Sequence, residues 1–212
     1  MFLTEVSMAK KASPRQPNAN RILDAALMLA AENRWRDVTM ERIAGEAGAS
    51  LARVYEFFPS KAAFLTRLMR RIDDQVLSGH DAADADEPKR ERLLDVLMRR
   101  LDAMAPHRRA IASMLRDGGV DPLGAVCSLP TFAKSIAWSL EAAGISASGL
   151  LGIARVKGLA AIHLTALRIW MKDETQDLSE TMAYLDRNLR RAERLMAFMS
   201  GISGTLQRDK SD

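Results

Sequence analysis

The stretch from Thr39 to Lys61, TMERIAGEAGASLARVYEFFPSK, leaves its backbone few choices. Thr39 is a good helix N-cap, and Glu41 puts a negative charge in the first turn, where the helix dipole favours it. Met40, Ile43, Ala44 and Ala47 then recur at helical spacing. Gly48 follows at once, the residue best able to take a left-handed backbone at a helix end. Ser50 caps a second helix carrying Val54, Phe57 and Phe58, until Pro59 forbids continuation and Ser60 caps the next. Two short helices joined by a glycine-containing turn make a helix-turn-helix. The second is too short to be a core element alone, and Ser50, Ala52, Arg53, Tyr55 and Glu56 lie on faces its apolar residues leave free. A short, rigid, polar-faced helix is what reading a DNA major groove requires. The same spacing also describes a tight corner that only packs a core, so the surroundings of the motif have to decide.

Charge is the first of those surroundings. The 212 residues carry a net charge of +4, and residues 1–71 hold twelve Lys/Arg against seven Asp/Glu while the rest holds nineteen against twenty. The basic excess therefore sits beside the helix-turn-helix, as a polyanion partner requires. The one cysteine, Cys127, rules out an internal disulfide and reads as a small buried hydrophobe. The opening MFLTEVSMAKKASPRQPNAN has no apolar run long enough for a signal peptide, and Met8 is as good a start as Met1. The longest uncharged apolar stretch, Gly158 to Leu167, is half a membrane span. These features predict a cytoplasmic protein with no membrane insertion.

Residues 1–19 read as a disordered basic tail, 20–66 as the helix-turn-helix domain, 67–204 as a larger helical body and 205–212 as a polar tail. Ile22, Ala25, Ala26, Leu29 and Ala30 stripe a first helix, with Trp35 in the loop before Thr39. A longer helix follows Ser60, and GHDAADADEP (79–88) reads as a solvated linker, because its acids lack the mid-loop Gly and terminal Glu of a calcium loop and His80 has no partners for a metal. Beyond it, helices are predicted over Glu87–Ala105, His107–Asp117, a segment interrupted by Pro130, Thr131–Ala143, Ser148–Lys172, and a last helix opened by the capping-box pattern Asp177-Leu-Ser-Glu180. No segment alternates like a strand. The expectation is an all-α fold of about nine helices: a three-helix helix-turn-helix head and a larger helical body, to which the resemblance given below assigns ligand binding and dimerisation.

In the last helix Leu178, Met182, Leu185, Leu189, Ala192, Met196 and Met199 alternate spacings of 4 and 3, an a/d seam with Arg187, Arg190, Arg191 and Arg194 outside it. The preceding helix is apolar on two sides, so one side is free to meet a second copy in a four-helix bundle. The predicted dimer interface is Leu159, Ile162, Ala166, Ile169, Met182, Leu185, Leu189 and Met196; the alternative is that both sides are filled within one chain.

RILDAALMLAAENRWRDVTMERIAGEAGASLARVYEFFPSKAAFL, spanning residues 21–65, resembles the DNA-binding region of the TetR family of bacterial transcriptional regulators. The resemblance implies a cytoplasmic homodimer that binds double-stranded DNA at a palindromic operator, most often as a repressor, and lets go when a small apolar effector enters the body. Carried onto this chain, it implies phosphate contacts from Thr39, Ser50 and Lys61, and groove or backbone contacts from Ala52, Arg53 and Tyr55. Leu51 and Glu56 stand at the groove positions where the family more often has a basic or polar residue and His, and Arg34 stands where the family's turn usually has Gly. A looser similarity, from Trp170-Met-Lys-Asp through Asp177 to Leu189, is to TetR-fold ubiquinone-biosynthesis accessory proteins, which hold lipid in the body and have lost DNA binding. Met104, Met114, Phe132, Trp138 and Trp170 are the candidate ligand-binding residues, with His163 as a polar anchor, although such a set is equally plain core. Enzyme chemistry is argued against: the three His lie on separate segments, and there is no glycine-rich phosphate loop or nucleophile elbow. No cofactor and no metal is predicted.

Overall fold

Side-chain caps set the first helices. The Asn18 side chain accepts from the Arg21 N–H at 3.0 Å and starts α1 (Ala19–Glu32), whose inner rows Ile22, Leu23, Ala26, Leu27 and Ala30 are buried. A short 3-10 turn, Trp35–Asp37, leads to α2 (Met40–Ala47) and α3 (Leu51–Phe57), and α4 (Lys61–Ser78) follows. The body contains α5 (Lys89–Met104), a second 3-10 turn, Ala105–His107, then α6 (Arg108–Gly118), α7 (Pro122–Ala142), α8 (Gly149–Trp170) and α9 (Ser179–Arg208). The computed structural model describes residues 18–78, 86–118, 122–175 and 177–208, with side chains for all of these except 118, 122–127 and 199–208. Most of the predicted tail, linker residues 79–85 with His80, the Cys127 and Met199 side chains, and residues 209–212 lie outside the described residues. Among the described residues there are nine α-helices and no strand, so the all-α expectation holds.

α1 lies along α6, and α4 runs on from the head to pack against α7 and α5. α8 packs between α7 and α9, and α9 also rests on α5. The centre of the body is filled by Leu97, Leu101, Ile136, Trp170 and Leu185, each at most 1 % exposed. Burying one such side chain is worth about 1.5–3 kcal/mol. α8 has the length and mean hydropathy (1.5) of a membrane span, yet its row Leu159, His163, Ala166 and Trp170 is buried inside the protein.

Two expectations are corrected. Pro130 does not interrupt its segment: α7 runs unbroken from Pro122 to Ala142 with Pro130 inside it. A proline within a helix drops one backbone hydrogen bond, at a cost of about 3 kcal/mol. Here Pro130 sits on the exposed face, while Ile136 and Leu140 on the other face are buried against the body. The second correction concerns the start of α9, where Asp177 is not the cap. Leu178 takes a positive φ of 51°, and the first-turn N–H groups are satisfied from further back. Asp173, 1 % exposed, accepts from the backbone N–H and hydroxyl of Thr181 at 2.9 and 2.7 Å, and the Thr175 hydroxyl accepts from the Ser179 N–H at 3.0 Å. A carboxylate at a helix N-terminus suits the dipole, but its eight-residue sequence distance from Thr181 hides it from any capping pattern.

Two cations, Arg100 buried and Arg108 half-buried, tie the body together. Arg100, on α5, bonds to Asp73 of α4 and donates to the Ser135 hydroxyl of α7 at 2.8 Å, while that hydroxyl donates to Asp73 at 2.6 Å. Arg108, at the start of α6, donates to the Trp170 and Asp173 carbonyls and lies 5.0 Å from the centroid of the Trp170 ring. Asp73→Ala leaves the Arg100 guanidinium buried without its carboxylate. It should lower unfolding free energy by about 3–5 kcal/mol in a urea titration, with the slope unchanged.

The pH dependence follows from His163 and Asp173. Burial, with Arg100 adding to it, pushes His163 down to about 3, so this imidazole is neutral in the folded protein. The unfolded chain takes up that proton near pH 6.5 and the folded one does not; stability is therefore full above pH ~6.5 and falls as the pH drops below it. Hydrogen bonds from Thr175 and Thr181 hold Asp173 well below the usual carboxylate range, which adds a second loss below pH ~4. Thermal melts from pH ~7 down to pH ~3 should show the decline, and His163→Gln should flatten its upper part while Asp173→Asn flattens the part below pH ~4.

Candidate nucleic-acid interface

The head owes its shape to a turn and three aromatic rings. Thr39 caps α2 by accepting from the Arg42 N–H at 3.2 Å, and Gly48 closes it with φ 63° and ψ 34°. An L side chain there would cost about 1–2 kcal/mol. The Ala49 N–H returns to the Ala44 carbonyl at 2.9 Å, and Ser50 caps α3 by accepting from the Arg53 N–H at 3.2 Å. α3 has only seven residues, and burial holds it: Val54 is 0 % exposed and Phe58 1 %. Phe58 stacks on Phe64 of α4 with centroids 4.1 Å apart, and Trp35 meets Phe64 edge-on at 5.7 Å. Such pairs add about 0.5–1.5 kcal/mol beyond area burial.

With its inner row held, α3 turns the other side outward. Ser50, Leu51, Ala52, Tyr55 and Glu56 are exposed, Tyr55 at 70 % and Leu51 at 53 %, and Thr39 is exposed on the same head. The Thr39 and Ser50 hydroxyls accept from the backbone, so each keeps its proton to donate, for example to a phosphate. Arg53 is half-buried: its guanidinium is 2.6 Å from the Glu56 carboxylate and 4.3 Å from the centroid of the Phe57 ring. That pre-organises a planar fork one turn into the helix.

Lys61 is placed differently from the phosphate contact expected of it. Its ammonium donates to the Trp35 carbonyl at 2.7 Å and the Arg36 carbonyl at 3.1 Å and sits 5.1 Å from the Trp35 ring. Burial lowers its pKa, partly offset by Asp117 and Asp37. Two of its three N–H groups are thus engaged in holding the loop before α2.

The same loop is fastened to the body, a feature without a local sequence signal. The Ser113 hydroxyl on α6 accepts from the Trp35 N–H and donates to the Asn33 carbonyl, both at 2.9 Å, and Asp117 accepts from the Arg36 N–H at 2.8 Å. Arg71 of α4 reaches Asp24 of α1 at 2.5 Å. Head and body are joined through α1, α4 and α6.

The expected interface and ligand residues divide. Leu159, Ala166, Leu185 and Leu189 are buried within the single chain, where α8 and α9 pack on each other; of that seam Met182 alone is exposed, with Ile162, Ile169 and Met196 half-buried. Among the described members of the heptad row, Leu185 and Leu189 are the ones that the chain itself buries. Besides Met182, the apolar side chains facing out from α8 and α9 are Leu150, Ile153, Leu164, Leu195 and Phe198. Of the ligand candidates, Met104, Met114, His163 and Trp170 are buried core, Phe132 is half-buried with its ring 6.2 Å from His163, and Trp138 is 50 % exposed. An apolar cleft of about 280 Å³ lies elsewhere, between α5, α8 and α9, over Leu93, Leu140, Leu159, Ile162 and Leu189 with Lys89 and Arg155 at its edge.

Comparison with known proteins agrees with this geometry. Residues 22–68 match the family model described as bacterial regulatory proteins, tetR family. No curated protein matches. Among solved structures, a TetR transcriptional regulator from Nitrosomonas europaea ATCC 19718 is similar at 25 % identity and a TM-score of 0.68, covering 82 % of this chain and 97 % of that one. TetR regulators from Rhodococcus sp. RHA1 (18 % identity, TM-score 0.62, 81 % and 92 % covered) and Streptomyces coelicolor (18 %, 0.59, 90 % and 89 %) share the fold. Residues 22–68 thus carry a helix-turn-helix domain of the tetR family, and the chain as a whole shares the fold of TetR transcriptional regulators.

Proposed function

We propose that the protein is a cytoplasmic transcriptional repressor that binds a palindromic operator as a homodimer and releases it when a small apolar effector binds in the body. The observation that carries this reading is α3. It is held from behind by Val54 and Phe58 and presents Leu51, Ala52, Tyr55 and the Arg53–Glu56 pair outward. Arg53 would bond a guanine edge and Glu56 would accept from the amine of the paired cytosine, which turns a carboxylate that repels phosphate into a base reader. Leu51 offers apolar surface to a thymine methyl. Thr39 and Ser50 would donate to phosphates, with the third Lys61 N–H available for another.

Two copies would meet through the outward apolar row of α8, Leu150, Ile153 and Leu164, with Met182, Leu195 and Phe198 of α9 beside it. The effector would enter the apolar cleft between α5, α8 and α9. That cleft also supports a second reading, a lipid- or isoprenoid-binding accessory protein on the same fold; Glu56 holding Arg53 off the backbone favours it too.

Fluorescence anisotropy with duplexes from the protein's own promoter should show binding that is tighter than to random duplex and weakens with salt. Arg53→Ala should cost about 1–3 kcal/mol on the preferred sequence and little on random DNA. Equal affinity for both duplexes, with an apolar ligand detected by native mass spectrometry, would select the second reading. In sedimentation the protein should run as a dimer at micromolar concentration and Leu164→Glu as a folded monomer; a wild-type monomer removes the operator-dimer reading.

A further inference from the structure

A second cleft, of about 350 Å³, opens between the C-terminal end of α1 and α6, where head meets body. Its lining is Ala30, Ala31, Glu32, Asn33, Arg34, Arg109, Ala112, Ser113 and Arg116, and nothing from α2 or α3 enters it. Three cations against one carboxylate leave an excess of positive charge. Arg34, Arg109 and Arg116 form no ion pair among the described residues, although Glu32 lines the same space, whereas Arg71, Arg90, Arg100 and Arg190 all pair with carboxylates. Arg109 and Arg116 are two turns apart on one face of α6, about 10 Å along its axis. Ala112 and Ser113 lie between them and Ala30 and Ala31 opposite, so small side chains leave the middle open.

We propose that this cleft binds a small metabolite with an anionic group at each end, of the sugar-bisphosphate class. Arg109 and Arg116 take the two ends, and Arg34 closes on the ligand from the head side. Guanidinium forks match phosphate oxygens in bidentate geometry, which makes this donor set fitter for phosphates than lysines would be. The site also has a readout built into it. Ser113 is part of its wall and is the hydroxyl that joins the Trp35 N–H to the Asn33 carbonyl. A ligand bridging α6 and Arg34 therefore sets how the head sits on the body, a consequence that rests on the DNA-binding function proposed above; the binding itself does not.

The test is titration calorimetry on the full chain with fructose 1,6-bisphosphate, and with inorganic phosphate at matched ionic strength. Saturable binding of one bisphosphate per chain, clearly tighter than phosphate, is expected. In Arg109→Gln/Arg116→Gln the affinity should fall at least about tenfold, the scale of losing charge-assisted hydrogen bonds. Arg34→Gln should give a smaller loss, and Arg187→Gln/Arg191→Gln, on the exposed face of α9, none. All five positions are exposed, and thermal melts verify that the variants fold. No saturable heat, equal affinity for phosphate and bisphosphate, or an equal loss in the α9 variant overturns the site. So does a weakening of DNA binding by Arg109→Gln/Arg116→Gln without bisphosphate, which would make the cleft a DNA contact. A bisphosphate that binds as described to a protein that does not bind DNA supports the site and overturns the proposed repressor alone.

Discussion

Phe64 is the residue on which the head depends. It is the first fully buried side chain of α4, and it takes Phe58 on one face and the edge of Trp35 on another. A seven-residue helix such as α3 has too few internal hydrogen bonds to stand alone in water. Its orientation is therefore borrowed from the element behind it. Because α4 continues into the body and packs along α7 and α5, α3 and the body rest on one continuous helix. Lys61 at the head of that helix adds a cation above Trp35 and two bonds to the loop carbonyls, so the approach to α2 is fixed from the same place.

The buried and half-buried polar groups of the body serve the same economy of connection. Asp73, Arg100 and Ser135 bring α4, α5 and α7 to one point; Arg108 caps the end of α8, and Asp173 holds the start of α9. Each is satisfied by an element distant in the chain. Paired buried charges of this kind add little net stability over apolar side chains of equal size, but they penalise any arrangement that separates the partners. The clasp of Ser113 and Asp117 on the 33–37 loop applies the same rule between body and head, since any rotation of the head must break or re-aim hydrogen bonds to α6.

How much of this was readable from the chain depends on sequence distance. The caps at Thr39 and Ser50, the left-handed Gly48 and the exposed set on α3 act over three or four residues, and local chemistry alone specifies them. The all-helical class and the position of the helices followed from periodicity in the same way. A 4–3 spacing identifies a buried seam without saying whose helix buries it, and Leu185 and Leu189 are buried within the single chain while Met182 of the same row is exposed. Trp138, a ligand candidate by its apolar character, is half-exposed, since composition does not orient a helix.

The sequence by itself determined the helix-turn-helix, its basic setting and the all-α class, because each rests on backbone propensity, capping and net charge that neighbours in the chain supply. Only the tertiary structure decided which apolar rows of α8 and α9 are left outside, that Asp173 rather than Asp177 starts α9, and that Lys61 and Ser113 bind the same loop from two sides. Those outcomes depend on pairs 8 to 80 residues apart. Loop closure brings such pairs together, and no local pattern encodes which of them will meet.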